Sequence, residues 1–177
     1  MVTLHRASLE DNQGIGIYAG GEGSLAAIDD VFITGSKPRI SGYLGRGIHV
    51  QAGASVSAKR VSVIDNMDIG VFVSGDESSS TISDSVIART ALSVQGSYGM
   101  GLYANNAASL SLERTIVMEN NSMGVFLKDP LTSALLHEVL VARTLPGDSD
   151  SLGIGIHAGL GATLELHRCG VLDNHRA

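Results

Sequence analysis

The sequence predicts an all-β fold, a parallel β-helix solenoid of about seven coils with three short strands in each, and three observations predict it. The first is a 54-residue repeat: Arg6, Arg60, Arg114 and Arg168 recur at that interval, as do Asn12, Asn66, Asn120 and Asn174. The second is that the repeat contains two coils. The charged residues Arg6, Asp30, Arg60, Asp84, Arg114, Glu138 and Arg168 are spaced alternately by 24 and 30, so short and long coils alternate. The third is period-two alternation of apolar residues around each of these charges, the signature of a strand with one buried face.

Taken in order along a coil, the first strand carries an inward residue two positions before the charge: Leu4, Ile28, Ala58, Ile82, Leu112, Leu136 and Leu166. The second strand follows the charge, with Ala7, Val31, Val61, Ser85, Thr115, Val139 and Cys169 one position on and Leu9, Ile33, Val63, Ile87, Val117, Val141 and Val171 three positions on. The third strand opens with glycine each time, at Gly16, Gly47, Gly70, Gly101, Gly124 and Gly155. Between the Asn column and that glycine lie the coil-length differences. The interval is four residues in short coils (Asn66 to Gly70) and eleven in long ones (Ser36 to Gly47, Thr90 to Gly101, Thr144 to Gly155). Three long loops therefore leave one corner on alternate coils, and they hold Pro38, Pro146, Gly42, Gly96, Tyr43 and Tyr98. Glycine and proline suit turns and would damage strands. Left-handed β-helices use shorter, hexapeptide-based coils, so coils of this length predict the right-handed form.

Composition agrees. The 177 residues include 22 glycines, no tryptophan and 4% aromatics, so small and β-branched side chains fill the core. A net charge of −6, with 12 basic and 18 acidic residues, argues against nucleic acid and against a polybasic membrane contact. No apolar run is long enough to span a bilayer. The single cysteine, Cys169, falls on an inward position and reads as a small core residue. The sequence is expected to form a single domain over residues 1–177.

Four columns of like residues are candidates for structure or function. The first charged column reads as charge complementarity that fixes coil register, each arginine lying between two carboxylates. The second lies five residues on: Asp11, Gly35, Asp65, Arg89, Glu119, Arg143 and Asp173. Its Asp65, Arg89, Glu119 and Arg143 abut the long loops and form a candidate patch for a polar ligand. The third column, Asn12, Ser36, Asn66, Thr90, Asn120, Thr144 and Asn174, predicts tight turns that tolerate left-handed backbone, with stacked amides bonding one another. The fourth is Tyr18, His49, Phe72, Tyr103, Phe126 and His157 on the third strand. These point away from the core. They form either an exposed aromatic stripe for a carbohydrate or protein partner or a stack that the loops cover.

No cofactor, metal or catalytic residue is expected. His49 and His157 are too far apart to share a metal, and the neighbours His137 and His167 lack a third ligand. Asp148-Ser149-Asp150 reads as a solvated loop, not a calcium site. Gly14-Ile15-Gly16 and Gly153-Ile154-Gly155 imitate phosphate loops, but the repeat register explains both.

These columns, glycine-opened strands and Asn ladder resemble the right-handed parallel β-helix repeat family of the pectate-lyase-like superfamily over nearly the whole chain. The resemblance implies a fold shared by polysaccharide enzymes, tailspikes, adhesins and inert stalks. Of the hydrolase motifs known in that superfamily (Asn-Thr-Asp, paired Asp, Gly-His-Gly, Arg-Ile-Lys) only Asp29-Asp30 is present. The lyase motifs are absent, although Arg89 and Arg143 near Asp65 and Glu119 imitate a lyase cluster. The expected function is therefore a non-catalytic scaffold or binding module of a secreted or cell-surface protein, with a polysaccharide-degrading lyase or hydrolase as the alternative. By the same analogy the chain is an excerpt of a longer extracellular protein, or its coils stack end to end in a homodimer, because neither end carries an evident cap.

Overall fold

The computed structural model describes residues 1–40, 42–148 and 152–175, and contains eighteen strands. Every pairing among the named strands is parallel. The third strands of the coils are β2 (Ile15–Gly20), β4 (Arg46–Gln51), β7 (Ile69–Ser74), β10 (Met100–Asn105), β13 (Met123–Lys128) and β16 (Ile154–Gly159), which stack in that order as one sheet. The first strands are β5 (Ser55–Lys59), β8 (Ser79–Ser83), β11 (Ser109–Glu113), β14 (Ser133–His137) and β17 (Thr163–His167). The second strands are β6 (Ser62–Ile64), β9 (Val86–Ala88), β12 (Ile116–Met118), β15 (Leu140–Ala142) and β18 (Gly170–Leu172).

In the first two coils these two strands run together as β1 (Val2–Glu10) and β3 (Leu25–Thr34). Pairing there skips only the Arg6 and Asp30 position, where the path turns the same corner: Arg6 and Asp30 have φ of 50° and 53°, against 51° at Arg60 where later strands break.

The pairing register reproduces the inward columns. Leu4 pairs with Ile28, Ile28 with Ala58 and Ala58 with Ile82, and Ile33 is followed by Val63, Ile87 and Val117. These residues form one apolar core with Ile48, Val71, Leu102 and Val125 of the third strands. The two hydroxyls in the core column are satisfied at the corner. Ser85 accepts from the Val61 N–H and donates to the Ser83 carbonyl, and Thr115 donates to the Glu113 carbonyl.

The glycine column has a steric cause. A Cβ on Gly70 would lie 2.6 Å from the carbonyl oxygen of Gly101, and one on Gly101 would lie 2.7 Å from that of Gly124. Here the backbones of successive coils approach too closely for any side chain.

The left-handed backbone falls one residue before the place that the Asn column suggests. Asp11, Asp65, Glu119 and Asp173 have φ between 51° and 55°, as do Arg89 and Arg143 (54° and 52°) in the intervening coils. The asparagines themselves turn inward. Asn66 is fully buried, accepts from the Ser36 N–H (3.0 Å), and donates to the carbonyls of Ile33 (3.2 Å) and Ile64 (3.0 Å). Asn120 and Asn174 repeat this against the preceding coil. Amide-to-amide bonding does not arise, because Ser36, Thr90 or Thr144 separates one asparagine from the next.

The ionic pairing is one-sided in its hydrogen bonds. Each base hydrogen-bonds back to the column acid of the preceding coil, while the acid of the following coil, Asp84 for Arg60 and Glu119 for Arg89, stays within electrostatic range without a hydrogen bond. The first column gives Arg60–Asp30 (2.5 Å), Arg114–Asp84 (2.6 Å) and Arg168–Glu138 (3.1 Å). The second gives Arg89–Asp65 (2.7 Å) and Arg143–Glu119 (2.8 Å), and Lys37–Asp11 (2.6 Å) where Gly35 has no side chain. The two columns therefore staple alternate coil interfaces. Asp30, Asp65 and Asp84 are held below the ordinary carboxylate value chiefly by the arginine hydrogen bond each accepts.

Candidate functional site

The third-strand sheet turns its outer face toward the long loops, and the departures from repeat symmetry lie here. Its first outward column reads Ile15, Arg46, Ile69, Met100, Met123 and Ile154. One member is charged. Its partner is equally singular: two residues after the Asn column stand Gly14, Asp68 and Ser122, and only Asp68 is acidic.

Arg46 and Asp68 form a buried ion pair, Nε to Oδ2 at 2.9 Å, with side-chain exposures of 14% and 4%. A buried pair of charges needs further partners to offset its desolvation. Arg46 has them: its guanidinium carbon lies 4.0 Å above the Phe72 ring, and Nη1 donates to His49 Nδ1 at 3.3 Å. Since that nitrogen accepts, His49 Nε2 carries the proton and donates to Gln51 Oε1 (2.9 Å), and Gln51 Nε2 donates to the Tyr18 hydroxyl (2.9 Å). Burial, reinforced by Arg46, pulls the His49 pKa down to about 4, so the ring is neutral at physiological pH. Burial pushes the Asp68 carboxyl above its ordinary value, against the opposing pull of Arg46.

The pair floors a cavity of about 250 Å³ between the first two long loops. Each loop closes on itself the same way. Arg39 N–H donates to the Tyr43 carbonyl and Ser93 N–H to the Ser97 carbonyl, 54 residues apart in the repeat. Tyr43 and Tyr98 stand at the cavity as exposed rings (61% and 44%), with Ser93, Gln95 and Ser97 supplying polar groups. Among the described residues that line the cavity, Asp68 is the only carboxylate.

The aromatic column is continuous, with successive ring centroids 4.8–5.4 Å apart from Tyr18 to His157. It is not an open stripe. His49, Phe72 and Tyr103 are buried, Phe126 is half-buried, and only the ends, Tyr18 and His157, face solvent. Ile69, Met100 and Met123 pack against the rings, with Leu152 from the third loop, as a second apolar cluster. The neighbouring outward column of the same sheet, Ile69, Met100 and Met123, with Arg46 over Phe72, supplies most of this cover. The patch of Asp65, Arg89, Glu119 and Arg143 consists of two self-paired staples at the loop-side corner, Arg89 gripping Asp65 with two nitrogens (2.7 and 2.8 Å).

Among the described residues one group has metal-ligand geometry: His5, Asp29 and Asp30, with ligand atoms within 4.8 Å. Its cation is Arg60, which donates to both carboxylates. The Asp148-Ser149-Asp150 segment lies partly outside the described residues. No helix of the described residues is long and apolar enough to cross a membrane.

A family model described as a right handed beta helix region matches residues 2–133. No curated protein and no solved structure matches the chain.

Proposed function

We propose that this chain, which belongs to the right-handed beta helix family, is a binding module that takes a neutral sugar unit in the cavity between its first two long loops. The observation that carries the reading is the buried Arg46–Asp68 pair set beneath two exposed tyrosines. Tyrosine faces cover the apolar face of a sugar ring at low conformational cost, and a fixed carboxylate with nearby hydroxyl and amide groups orients its hydroxyls. A volume near 250 Å³ suits one small ring, being below the roughly 300–1,000 Å³ of sites that enclose larger ligands. A uronate meets Asp68 with like charge and finds Arg46 already engaged, so the neutral sugar is preferred. Binding is favoured over cleavage because glycoside hydrolysis uses two carboxylates across the scissile bond, and the described residues lining the cavity supply one.

The test is a glycan array followed by titration calorimetry of the hits. Native protein is expected to retain neutral oligosaccharides in preference to uronates. Tyr98→Ala, at an exposed site, weakens binding by about tenfold while the circular dichroism spectrum stays unchanged. An array negative for neutral glycans, or equal binding by folded Tyr98→Ala, overturns the proposal.

A further inference from the structure

Two groups beneath the loop cavity change charge on acidification, and both hold the same arginine. Arg46 is clamped from three sides: by the Asp68 carboxylate at 2.9 Å, by His49 Nδ1 at 3.3 Å, and by the Phe72 ring 4.0 Å from its guanidinium carbon. Two of the three clamps fail when protonated. A neutral Asp68 carboxyl no longer attracts the guanidinium as an ion. A protonated His49 has no lone pair left at Nδ1 to accept from Arg46, and repels it instead. The combination occurs once along the sheet. The other histidine of the column, His157, has Ile154 where His49 has Arg46.

The electrostatics are local. Arg46 is the charged side chain that acts on both Asp68 and His49. Among the described residues, the other groups packed around them are the Gln51 amide on β4, the Tyr18 phenol from β2, the Phe72 ring from β7, and the Tyr43 and Tyr98 phenols at the cavity. None of these changes charge between pH 7 and pH 4. At neutral pH Arg46 and Asp68 cancel and His49 is uncharged, so the floor carries no net charge. With both groups protonated it carries two positive charges. The Asp68 carboxyl lies above its ordinary value and the His49 pKa is about 4, so both protons arrive in the same acidic range. Arg46 already borders the cavity, so its guanidinium reaches the opening by side-chain rotation with the sheet unmoved.

We propose that the Arg46 clamp is a proton-operated switch on the loop cavity: acid frees Arg46 into the cavity, which releases the neutral sugar and admits a small oxyanion. Release rests on the neutral-sugar reading; admission of the oxyanion rests on the charge of the floor alone. The sugar leaves because the carboxylate that orients its hydroxyls is neutralised and the guanidinium takes up space in a cavity of only about 250 Å³. The oxyanion enters because paired guanidinium N–H groups match two of its oxygens. By linkage, an anion that prefers the protonated floor also draws protons onto Asp68 and His49.

The experiment is titration calorimetry of the full chain at pH 7 and pH 4 with two probes: sodium sulfate, which stays ionised throughout, and the neutral oligosaccharide that binds best on an array. Sulfate is expected to bind at least about tenfold more tightly at pH 4 than at pH 7, and the sugar at least about tenfold more weakly. Arg46→Gln should take up sulfate at neither pH, which separates the switch from the general attraction of an acidified protein for anions. Asp68→Asn imitates the neutral carboxyl and should bind sulfate already at pH 7. Should native protein lose its circular dichroism spectrum at pH 4, Asp68→Asn at pH 7 decides; should that variant fail to fold, native protein and Arg46→Gln decide. Sulfate binding that is absent or unchanged at pH 4, or that persists in folded Arg46→Gln, overturns the proposal. So does sugar binding of equal strength at both pH values. If no neutral oligosaccharide binds at pH 7, the sugar reading alone fails and the sulfate results still judge the switch.

Discussion

Replacing Asn66 by alanine should destabilise the protein far more than replacing Arg89, although both residues join neighbouring coils. Asn66 is fully buried and its amide serves three backbone groups. Alanine leaves the Ser36 N–H without that acceptor, at about 1–3 kcal/mol for an unsatisfied buried donor, with smaller losses at the Ile33 and Ile64 carbonyls. The void left by the amide adds to this. The sum is about 3 kcal/mol, which lowers the melting temperature by roughly 6–12 °C for a chain of this size. Arg89 pairs with Asp65, the residue beside Asn66, but both side chains are 48% exposed. Water and salt screen such a pair, so Arg89→Ala costs at most about 1 kcal/mol and less in high salt. Urea denaturation at low and high salt separates the two. If Arg89→Ala proves as damaging as Asn66→Ala, the claim that buried amides hold the coils together, with the ionic staples contributing little, is refuted.

Three further outcomes are expected. Leu131→Gly should stabilise by about 0.5–1 kcal/mol, because Leu131 is 82% exposed with φ of 65° and three of its five equivalents, Gly23, Gly53 and Gly161, use glycine for the same turn, the others being Glu77 and Ala107; a lower urea midpoint contradicts this. Thr90→Val should stabilise by about 1 kcal/mol, since the buried Thr90 hydroxyl has no hydrogen-bond partner, and the midpoint should rise without a change of slope. Stability should decline as pH falls from 6.5 toward about 4, because His49 takes a proton in the unfolded chain before it does in the folded one. Asp68, whose folded pKa is raised, works in the opposite sense in the lower part of that window, and Asp30, Asp65 and Asp84 release their contribution only below the ordinary carboxylate value. Urea midpoints at several pH values for native protein and His49→Phe isolate the histidine: the variant should show a flatter slope.

The solenoid was legible because a repeat turns a three-dimensional column into a one-dimensional interval. Leu4, Ile28, Ala58 and Ile82 could be aligned before any pairing was known, and the register confirms them. Side-chain reach was less legible. Stacking alone does not say that Arg60 reaches back to Asp30, or that Asn66 bonds backbone carbonyls and not another amide. The burial of Phe72 and Tyr103 depended on how Ile69, Met100, Met123 and Arg46 pack against the rings, which strand periodicity does not encode. The Arg46–Asp68 pair was missed because both residues lie outside the block that aligns from coil to coil. A signal was present: one arginine in a column otherwise made of isoleucine and methionine.

The most direct measurement is a crystal structure of the protein soaked with the neutral oligosaccharide that binds best on an array. A sugar ring resting between Tyr43 and Tyr98, with a hydroxyl bonded to the Asp68 carboxylate, is the predicted result. An empty loop cavity, with the ligand ordered against the exposed end of the aromatic column at Tyr18 or His157 instead, would contradict the account.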